Sequence, residues 1–354
     1  MKKKKIYIIL TILLSFAFIL GGCGTPTNTT ADAPTDAPAE DPIRVLLMTE
    51  DPIGINPYFL SGIEGMEAAE LDFNIETTIV EGTSDPALND ENVRSVVRED
   101  YDLIILMTFG FTDVLLEVAP DYPDLPIVCI DCAVEVDSVL NVDFNSHEAA
   151  FLTGVAAGLL TESNILGQIG PLDIPFMHRW IDPFTEGALY ANPDIIMLEP
   201  LYTGDWADPA TAKELAILLS DQGADVINGA AAGGNSGIYE AAEQLDFLTF
   251  GADINECPSA PGYIIDNTLK RVDRTVYDSI AAFIAGELTG GWAAYGLADG
   301  GVDLAVYTWP EEDTQCVLAD HPEVMSEVGE IRQMIIDGEI VIPDPLFGGE
   351  YVLP

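Results

Sequence analysis

A glycine-rich segment with the sequence GAAAGGNSG, residues 229–237, follows an apolar run and is the first candidate for chemistry. Glycine-rich turns between a strand and a helix commonly bind phosphate, because a bare backbone lets N–H groups approach an anion closely. The spacing fits neither phosphate motif, since Asn235 occupies the position of the Walker lysine and Ala231 interrupts G-x-G-x-x-G. We therefore expect this loop to serve a ligand other than phosphate.

The same loop comes close to the nucleophile elbow of a serine hydrolase. Ser236 lies within Gly-Asn-Ser-Gly, and Ser236, Asp253 and His321 follow one another in hydrolase order. The fifth elbow position is Ile238 rather than glycine, and geometry, not order, defines a catalytic triad. Hydrolysis by Ser236 remains the enzymatic alternative, whereas our prediction is that the chain is not an enzyme and uses no cofactor.

Cysteines and histidines are the other residues that could hold a metal or carry redox chemistry. Cys129 and Cys132 form a C-x-x-C pair inside PIVCIDC, which is typical of a buried strand. Residues three apart on a strand lie on opposite faces, so we predict buried apolar thiols here. With Cys257 and Cys316 they make the four cysteines that follow Cys23, for which three disulfide pairings are open. The three histidines show no ligand spacing, and no metal site is predicted.

The charge balance restricts the class of ligand. Lys and Arg total 13 against 60 Asp and Glu, for a formal net charge of −47, while 48% of the 354 residues are hydrophobic. That content supports two domains with cores of their own. A surface this acidic repels nucleic acid, nucleotides and anionic membranes, so we expect a neutral or cationic ligand. Solubility or salt adaptation is the other explanation of the acidity.

The N-terminus indicates export and a lipid anchor. Four lysines, residues 2–5, precede an apolar run over residues 6–20, which is shorter than the roughly 20 residues of a spanning helix. This pattern predicts a signal peptide over residues 1–22. The following Leu-Gly-Gly-Cys resembles a bacterial lipobox, which predicts lipidation of Cys23. Residues 23–42 are rich in Thr, Ala, Pro and Asp and are predicted to form a disordered tether, with the folded body outside the cell membrane.

From Ile43 onward, strands and helices are predicted to alternate. Apolar runs such as IRVLLMTE and LTFGAD predict buried strands, and a helix is predicted over residues 209–223, capped by Asp208, with Leu215, Leu218 and Leu219 on its buried face. A second alternating unit begins at Asn145, where Asn145 and Glu148 form a start similar to a capping box. Such alternation predicts two parallel sheets covered on both faces, which bind ligands at the carboxyl ends of their strands.

Six segments in order resemble the basic membrane protein family: HEAAFLTGVAAGLL, FTEGALYANPDI, GDWADPATAKELA, GADVINGAAAGG, GADINE and DNTLKRVD. This family comprises solute-binding lipoproteins of ABC importers, including bacterial purine nucleoside receptors. The resemblance implies a type I periplasmic-binding-protein fold, with two doubly wound parallel-sheet lobes joined by three crossovers near Asp143, Asp266 and Gly300. The implied lobes comprise residues 43–144 with 267–299, and 145–266 with 300–354.

The resemblance also implies a ligand site. In nucleoside-binding members an aromatic residue from each lobe sandwiches the base, and carboxylates with a lysine hold the ribose. The residues at matching positions are Asp51, Phe59, Asp113, Trp206, Gly233, Asp253 and Lys270. The segment TEDPIGINPYF departs from the family's usual DDKSFN, since Asn56, Pro57 and Tyr58 replace charged and small residues.

These features together predict a monomeric receptor for a neutral purine nucleoside or a similar hydroxylated heterocycle. Its implied partners are an ABC permease and, through the lipid, the membrane; nucleic acid is not a predicted partner. A ligand-sensing lipoprotein and a riboflavin or sugar receptor of the same fold are the alternatives.

Overall fold

A computed structural model describes residues 41–349, 352 and 353, in which strands and helices alternate as predicted. The strands are β1 (Ile43–Thr49), β2 (Ile75–Val80), β3 (Leu103–Met107), β4 (Ile127–Ile130), β5 (Val139–Phe144), β6 (Ile165–Gly170), β7 (Ile196–Met197), β8 (Leu201–Tyr202), β9 (Val226–Gly229), β10 (Leu248–Asp253), β11 (Ile264–Lys270), β12 (Gly291–Tyr295) and β13 (Val302–Asp303). The helices are α1 (Pro57–Asp72), α2 (Pro86–Val96), α3 (Thr112–Val118), α4 (Ser146–Leu160), α5 (His178–Ala191), α6 (Pro209–Asp221), α7 (Asn235–Leu245), α8 (Val272–Ile284), α9 (Ala305–Thr308), α10 (Glu311–Thr314) and α11 (Pro322–Ile336).

The strands form two sheets with the same winding. Their orders are β2-β1-β3-β4-β5-β12 and β7-β6-β9-β10-β11-β13, and β8 pairs with β6 beside β7. Neighbouring strands are parallel, except that β13 runs antiparallel to β11. In each sheet the order reverses next to the first strand, which opens a crevice at the carboxyl ends. The predicted fold class, two doubly wound parallel-sheet lobes, is confirmed.

The chain crosses between the two sheets three times. The crossings follow β5, β11 and β12, and backbone hydrogen bonds hold them side by side: Asn145 N donates to Tyr295 O at 2.8 Å, and Arg271 N donates to Gly301 O at 2.8 Å. We expected the second crossing near Asp266. Instead, β11 continues as a fully buried strand to Lys270, so residues 267–270 belong to the second sheet rather than to the first lobe.

Helix α6 shows what the sequence pattern captured and what it missed. The Asp208 carboxylate accepts a hydrogen bond from Thr211 N at 3.0 Å and caps the helix as predicted. Leu219 is buried, but Leu218 is 49% exposed, which corrects the predicted buried face. Adjacent residues are separated by about 100° around a helix, so Leu218 cannot share the face of Leu219.

Helix α4 begins at Ser146 as predicted, but without the capping box. Asn145 makes no side-chain bond to the first helical N–H groups. Its amide instead donates to Glu148 Oε1 at 3.2 Å, while Glu148 Oε2 accepts from Leu297 N at 2.8 Å. The carboxylate that we assigned to the helix start therefore ties α4 to the connection between β12 and β13.

Both cysteine pairs form disulfides, so the predicted free thiols at Cys129 and Cys132 are wrong. These two cysteines are bonded to each other with their Cα atoms 5.5 Å apart, and Cys257 pairs with Cys316 at 5.0 Å. The prediction failed because β4 ends at Ile130, and Asp131 adopts a left-handed conformation with φ 61°. The chain turns there, so the alternation of faces along a strand does not reach Cys132.

Several predictions concern residues beyond the described part of the chain. The signal peptide at 1–22, the lipidated Cys23 and the tether up to residue 40 lie outside the described residues. Among residues 41–349, 352 and 353, no helix is long and apolar enough to cross a membrane. The same residues contain no group of three His, Cys, Asp or Glu side chains placed to hold a metal ion.

Candidate ligand-binding cleft

A cavity of about 360 Å³ lies between the two sheets, at the carboxyl ends of their central strands. This position is where doubly wound sheets bind ligands, and the size is that of a small-molecule site. The lining combines four carboxylates, one lysine and six aromatic rings with small and aliphatic residues. The lining residues are Glu50, Asp51, Asn56, Tyr58, Phe59, Thr108, Phe109, Asp131, Leu172, Ile174, Phe176, Met177, Trp180, Trp206, Ala230, Ala232, Ala252, Asp253 and Lys270.

A buried ion pair forms the floor of the cavity. Lys270, the last residue of β11, is paired with the carboxylate of Asp131, the first residue after β4 on the opposite sheet. Both side chains are at least 96% buried. The ammonium also lies 4.7 Å from the centre of the Tyr58 ring and 5.4 Å from that of Phe176. Because aromatic faces attract cations, the lysine is held between the lobes by groups from both of them.

Several polar atoms at this floor have no partner in the described protein. Tyr58 Oη and Asp131 Oδ1 are buried and, although the two side chains are neighbours, neither atom forms a hydrogen bond of good geometry among the described residues. Asp253, the last residue of β10, is 92% buried with φ 64°, and none of the hydrogen bonds found among the described residues reaches its carboxylate. Buried polar atoms are seldom left unpaired, because each costs about 1–3 kcal/mol. The floor is therefore suited to a ligand that carries hydrogen-bond donors.

Burial is the main cause of the shifted pKa values of Asp253 and Tyr58 at the cavity floor. It raises the pKa of Asp253 to about 7; Lys270 opposes this shift, while Glu256 and Asp131 add to it. Burial also raises the pKa of Tyr58 well above its usual value, and the negative charge of Asp131 adds to that effect. Near neutral pH, Asp253 therefore exists as a mixture of protonated and ionised forms. A ligand hydroxyl that donates to the carboxylate favours the ionised form.

A second group of carboxylates lies at the mouth of the cavity. Glu50 and Asp51 follow β1, and the Glu50 carboxylate accepts a hydrogen bond from the Thr108 hydroxyl. Burial raises the pKa of Asp51, and the negative charges of Glu50 and of Asp205, from the opposite lobe, raise it further. Bringing the lobes together thus places like charges near one another. A ligand with N–H donors at this end relieves that repulsion.

The aromatic walls come from both lobes. Asn56 Oδ1 accepts from Tyr58 N at 3.1 Å and caps α1, which places Phe59 at the cavity with only 2% of its surface exposed. In the second lobe, Trp206 packs with Trp180 and other apolar residues to form one wall. The Phe109 and Phe176 rings approach to 5.5 Å between their centres. Flat rings on facing sides are suited to stacking on a planar ligand.

The glycine-rich loop holds this wall instead of contacting the cavity through Gly233. Gly233 does not line the cavity; its N–H donates to Trp206 O at 3.0 Å. A Cβ at this position would lie 3.3 Å from the same carbonyl oxygen, which is a tight approach. Asn235, at the position of the Walker lysine, donates to Glu256 Oε2 at 3.2 Å and so links the loop to the turn after Asp253. The bare backbone thus serves close packing against the Trp206 segment.

The cavity brings together five of the seven residues that the resemblance implied. These are Asp51, Phe59, Trp206, Asp253 and Lys270. Gly233 supports the wall from behind, and Asp113 is exposed in the first turn of α3, away from the cavity. The Asp113 expectation fails because a short helical turn over Phe109–Phe111 follows β3, so Phe109 rather than Asp113 reaches the cleft.

The hydrolase alternative finds no support in these contacts. The Ser236 hydroxyl donates to Gly233 O at 3.4 Å, and no hydrogen bond among the described residues joins it to Asp253 or His321. A nucleophile needs a base within hydrogen-bond reach. Ser236 therefore lacks the geometry of a catalytic serine.

Three polar cavity residues were missed, although the sequence carried a signal for them. Glu50, Thr108 and Asp131 each directly follow a predicted strand of the first lobe, namely β1, β3 and β4. Polar residues at strand ends were therefore sufficient to nominate them. Tyr58 was named only as part of the segment that departs from the family pattern, and its position under Lys270 depends on tertiary structure.

An ion-pair network lies at the first crossing between the lobes. Buried Arg179, on α5, donates to Asp143 of β5 at 2.7 and 2.9 Å, and to Asp344 near the C-terminus at 2.6 Å. Although burial opposes its charge, these bonds raise the pKa of Arg179. Burial lowers the pKa of neighbouring His147 to about 4, so this histidine is neutral at pH 7. The network joins both lobes and the C-terminal segment behind the cavity.

Comparison with known proteins places this cleft in a family. The model of the Bmp family, described as ABC transporter substrate-binding protein PnrA-like, matches residues 43–345. The chain belongs to this family. An ABC transporter nucleoside-binding protein of Lactococcus lactis is 25% identical, with 96% of this chain and 99% of that protein covered. An uncharacterised lipoprotein of Pyrococcus horikoshii is 30% identical over 72% of each chain.

Solved structures agree with the family assignment. A solute-binding protein of an ABC transporter system from Aeropyrum pernix superimposes with a TM-score of 0.74 at 27% identity, covering 85% of this chain and 94% of that one. This Bmp-family chain is thus the substrate-binding protein of an ABC transporter, with a small-molecule ligand and a permease as partners. It is not an enzyme, as predicted from the sequence.

Proposed function

We propose that this Bmp-family protein captures a neutral purine nucleoside, or a similar hydroxylated heterocycle, by closure of its two lobes and delivers it to an ABC permease. The observation that carries the proposal is the floor of the cavity. Asp131 offers an unpartnered carboxylate oxygen and Asp253 a buried carboxylate near the Lys270 ammonium, below walls of aromatic rings. The Lactococcus lactis relative, which is named a nucleoside-binding protein, supports the same ligand class.

The floor suits a sugar with neighbouring hydroxyl groups. One hydroxyl would donate to Asp253 and another to Asp131 Oδ1, while Lys270 donates to a hydroxyl oxygen. Each charge-assisted hydrogen bond contributes about 1.5–3 kcal/mol. In this arrangement the donors of the ligand satisfy acceptors that the protein leaves unpaired.

The walls suit a planar base. Phe59 from the first lobe and Trp206 from the second would stack on the two sides of the ring, each pair adding about 0.5–1.5 kcal/mol beyond area burial. The carboxylates Glu50 and Asp51, at the mouth, would accept from N–H groups on the edge of the base. Closure of the lobes completes the sandwich, because its two halves come from different sheets.

The charge of the cavity selects against phosphorylated ligands. Four carboxylates line it against one ammonium, and the chain as a whole carries a formal charge of −47. A dianionic phosphate entering this site is repelled both locally and at longer range, with salt screening only the long-range part. The proposed ligand is therefore the nucleoside and not the nucleotide.

We further propose that the protein is a monomer held outside the cell by a lipid on Cys23. The lysines at residues 2–5, the apolar run and Leu-Gly-Gly-Cys support this proposal, as do relatives that are named lipoproteins. The substitution Cys23→Ser should abolish lipid labelling in cells and leave the melting temperature of the folded body unchanged. Equal labelling of the variant and the wild type would contradict the anchor.

Native mass spectrometry of the purified protein tests the ligand class without assuming a ligand. We expect an adduct with the mass of a purine nucleoside, which is lost on denaturation. Asp253→Asn should reduce its occupancy, whereas Asp113→Asn, an exposed carboxylate away from the cavity, should retain it. An adduct with the mass of riboflavin or a free sugar would replace the proposed ligand. Turnover of nucleosides that Ser236→Ala abolishes would contradict the binding role.

A further inference from the structure

The Cys129–Cys132 disulfide lies directly beneath the ligand cavity without lining it. Both cysteines are buried within an apolar cluster on one face of the first sheet, together with residues such as Phe111 and Val134. The cavity lining contains neither of them. The disulfide therefore has no direct contact with a ligand in the cavity, and its effect on binding must pass through the residues that it encloses or through cavity-lining Thr108, whose carbonyl oxygen lies 3.1 Å from Cys132 Sγ.

One of those enclosed residues is Asp131, whose backbone is held in an unfavourable conformation. Its φ of 61° lies in the left-handed region, which residues other than glycine seldom adopt and which persists only when the surroundings enforce it. Asp131 N donates to Val142 O at 2.7 Å, and Ile130 O accepts from Thr108 N at 3.0 Å. The disulfide closes a short ring around this turn and adds a covalent restraint to the two hydrogen bonds.

The orientation of Asp131 determines what its carboxylate can reach. One oxygen pairs with Lys270, which belongs to the opposite sheet, and the other is the unpartnered buried acceptor of the cavity floor. Asp253, on the adjacent strand, also lies near the ammonium, but among the described residues Asp131 is the carboxylate within ion-pair distance of it. A turn at Asp131 that is free to relax would therefore remove both a ligand contact and the partner of the lysine.

We infer that the Cys129–Cys132 disulfide is a positioning element of the ligand site: it fixes the turn at Asp131 and, through Asp131, the Lys270 ammonium. This inference rests on the proposed function for its ligand, a nucleoside, but its structural consequence at Lys270 does not. The proposed ligand contacts are made by Asp131 and Lys270, and the two sulfurs influence binding through them.

The two disulfides of the chain provide a matched comparison. Opening the first with Cys129→Ala and Cys132→Ala should weaken inosine binding about tenfold or more. Opening the second with Cys257→Ala and Cys316→Ala should change binding by less than about threefold. The melting temperature should fall more on opening the second disulfide than on opening the first. The second disulfide spans 59 residues and the first only 3, and closing a longer loop stabilises the folded protein more. A larger loss of inosine binding on opening the second disulfide would overturn the inference.

A double-mutant cycle tests whether the disulfide acts through Asp131. Asp131→Asn alone should weaken inosine binding at least as much as opening Cys129–Cys132. Combining the two changes should then cost less than about a further twofold, because the group that the disulfide positions is already lost. Losses that multiply would show that the disulfide and Asp131 act independently, and the inference would be wrong.

The Lys270 ammonium gives a readout that needs no ligand. Protein labelled with ¹⁵N-lysine should show a slowly exchanging ammonium signal from buried Lys270, assigned by its absence in Lys270→Met. This signal should persist when Cys257–Cys316 is opened, and shift or vanish when Cys129–Cys132 is opened. If inosine fails to bind the wild type, the proposed ligand is wrong while this measurement still decides the inference. An unchanged signal after opening Cys129–Cys132 would contradict it.

Discussion

Replacing Asp253 by asparagine should stabilise the ligand-free protein at high pH while weakening its binding site. Burial raises the pKa of Asp253 to about 7 from the ordinary value of 3.8. Between these values the folded protein holds a proton on this carboxyl that the unfolded chain has released. Stability is therefore lost as pH rises from about 4 to about 7, at about 1.4 kcal/mol per pH unit and about 4 kcal/mol in total. Asparagine, which does not ionise, escapes this loss.

The difference between the variant and the wild type isolates this effect from the titrating groups that do not interact with Asp253, because those groups contribute equally to both. Between pH 5 and pH 8 the stability advantage of Asp253→Asn should grow by about 3 kcal/mol. A chain of this size gains about 2 °C in melting temperature per kcal/mol, so the advantage should grow by about 6 °C.

Thermal unfolding followed by circular dichroism at the two pH values measures this growth, with Asp113→Asn as the exposed control. We expect the control to show the same small change in melting temperature at both pH values. An advantage of Asp253→Asn that is equal at pH 5 and pH 8, or absent at pH 8, would refute the assignment of a buried, destabilising carboxylate to the ligand site.

Other perturbations should have the following outcomes. Inosine affinity should fall as pH is lowered below about 7, by up to about tenfold per pH unit, because protonation removes the Asp253 acceptor. Calorimetry at several pH values should show a flatter dependence of affinity on pH in Asp253→Asn than in the wild type. Trp206→Ala should weaken inosine binding by about tenfold and leave the melting temperature nearly unchanged, since one stacking face is lost; affinity unaffected by this change would move the base elsewhere. Arg179→Met should lower the free energy of unfolding, measured by urea denaturation, by about 3–5 kcal/mol, because it leaves Asp143 and Asp344 as buried unpaired charges. Arg94→Met, which breaks an exposed ion pair, should have no measurable effect.

Much of the fold and part of the site could be predicted from the sequence. Apolar runs bounded by polar turns located the central strands, because parallel strands buried on both faces leave a continuous hydrophobic signature. The ordered family motifs then placed Trp206, Asp253 and Lys270, and the structure brings all three to one cavity. Motif order thus contained the information that composition and periodicity lacked.

The remaining features depend on contacts between residues distant in sequence. The role of Asp131 follows from a left-handed turn and from a lysine 139 residues away, neither of which has a local signature. Gly233 was expected to serve a ligand, but its N–H bonds to the Trp206 carbonyl in a separate loop. Asp113 was expected at the cleft, and the turn at Phe109–Phe111 places another residue there. In each case a tertiary neighbour, unknown from spacing, decides the role.

Calorimetric titration of inosine against inosine monophosphate tests the proposed ligand most directly, because the two differ only in the phosphate. With four carboxylates and one ammonium lining the cavity, we expect inosine to bind at least about a hundredfold more tightly. The difference should persist in part at high salt, since the carboxylates of Asp131 and Asp253 are largely buried and screened less than surface charges. Equal affinity for both compounds, or tighter binding of the monophosphate, would contradict a neutral nucleoside as the ligand of this cleft.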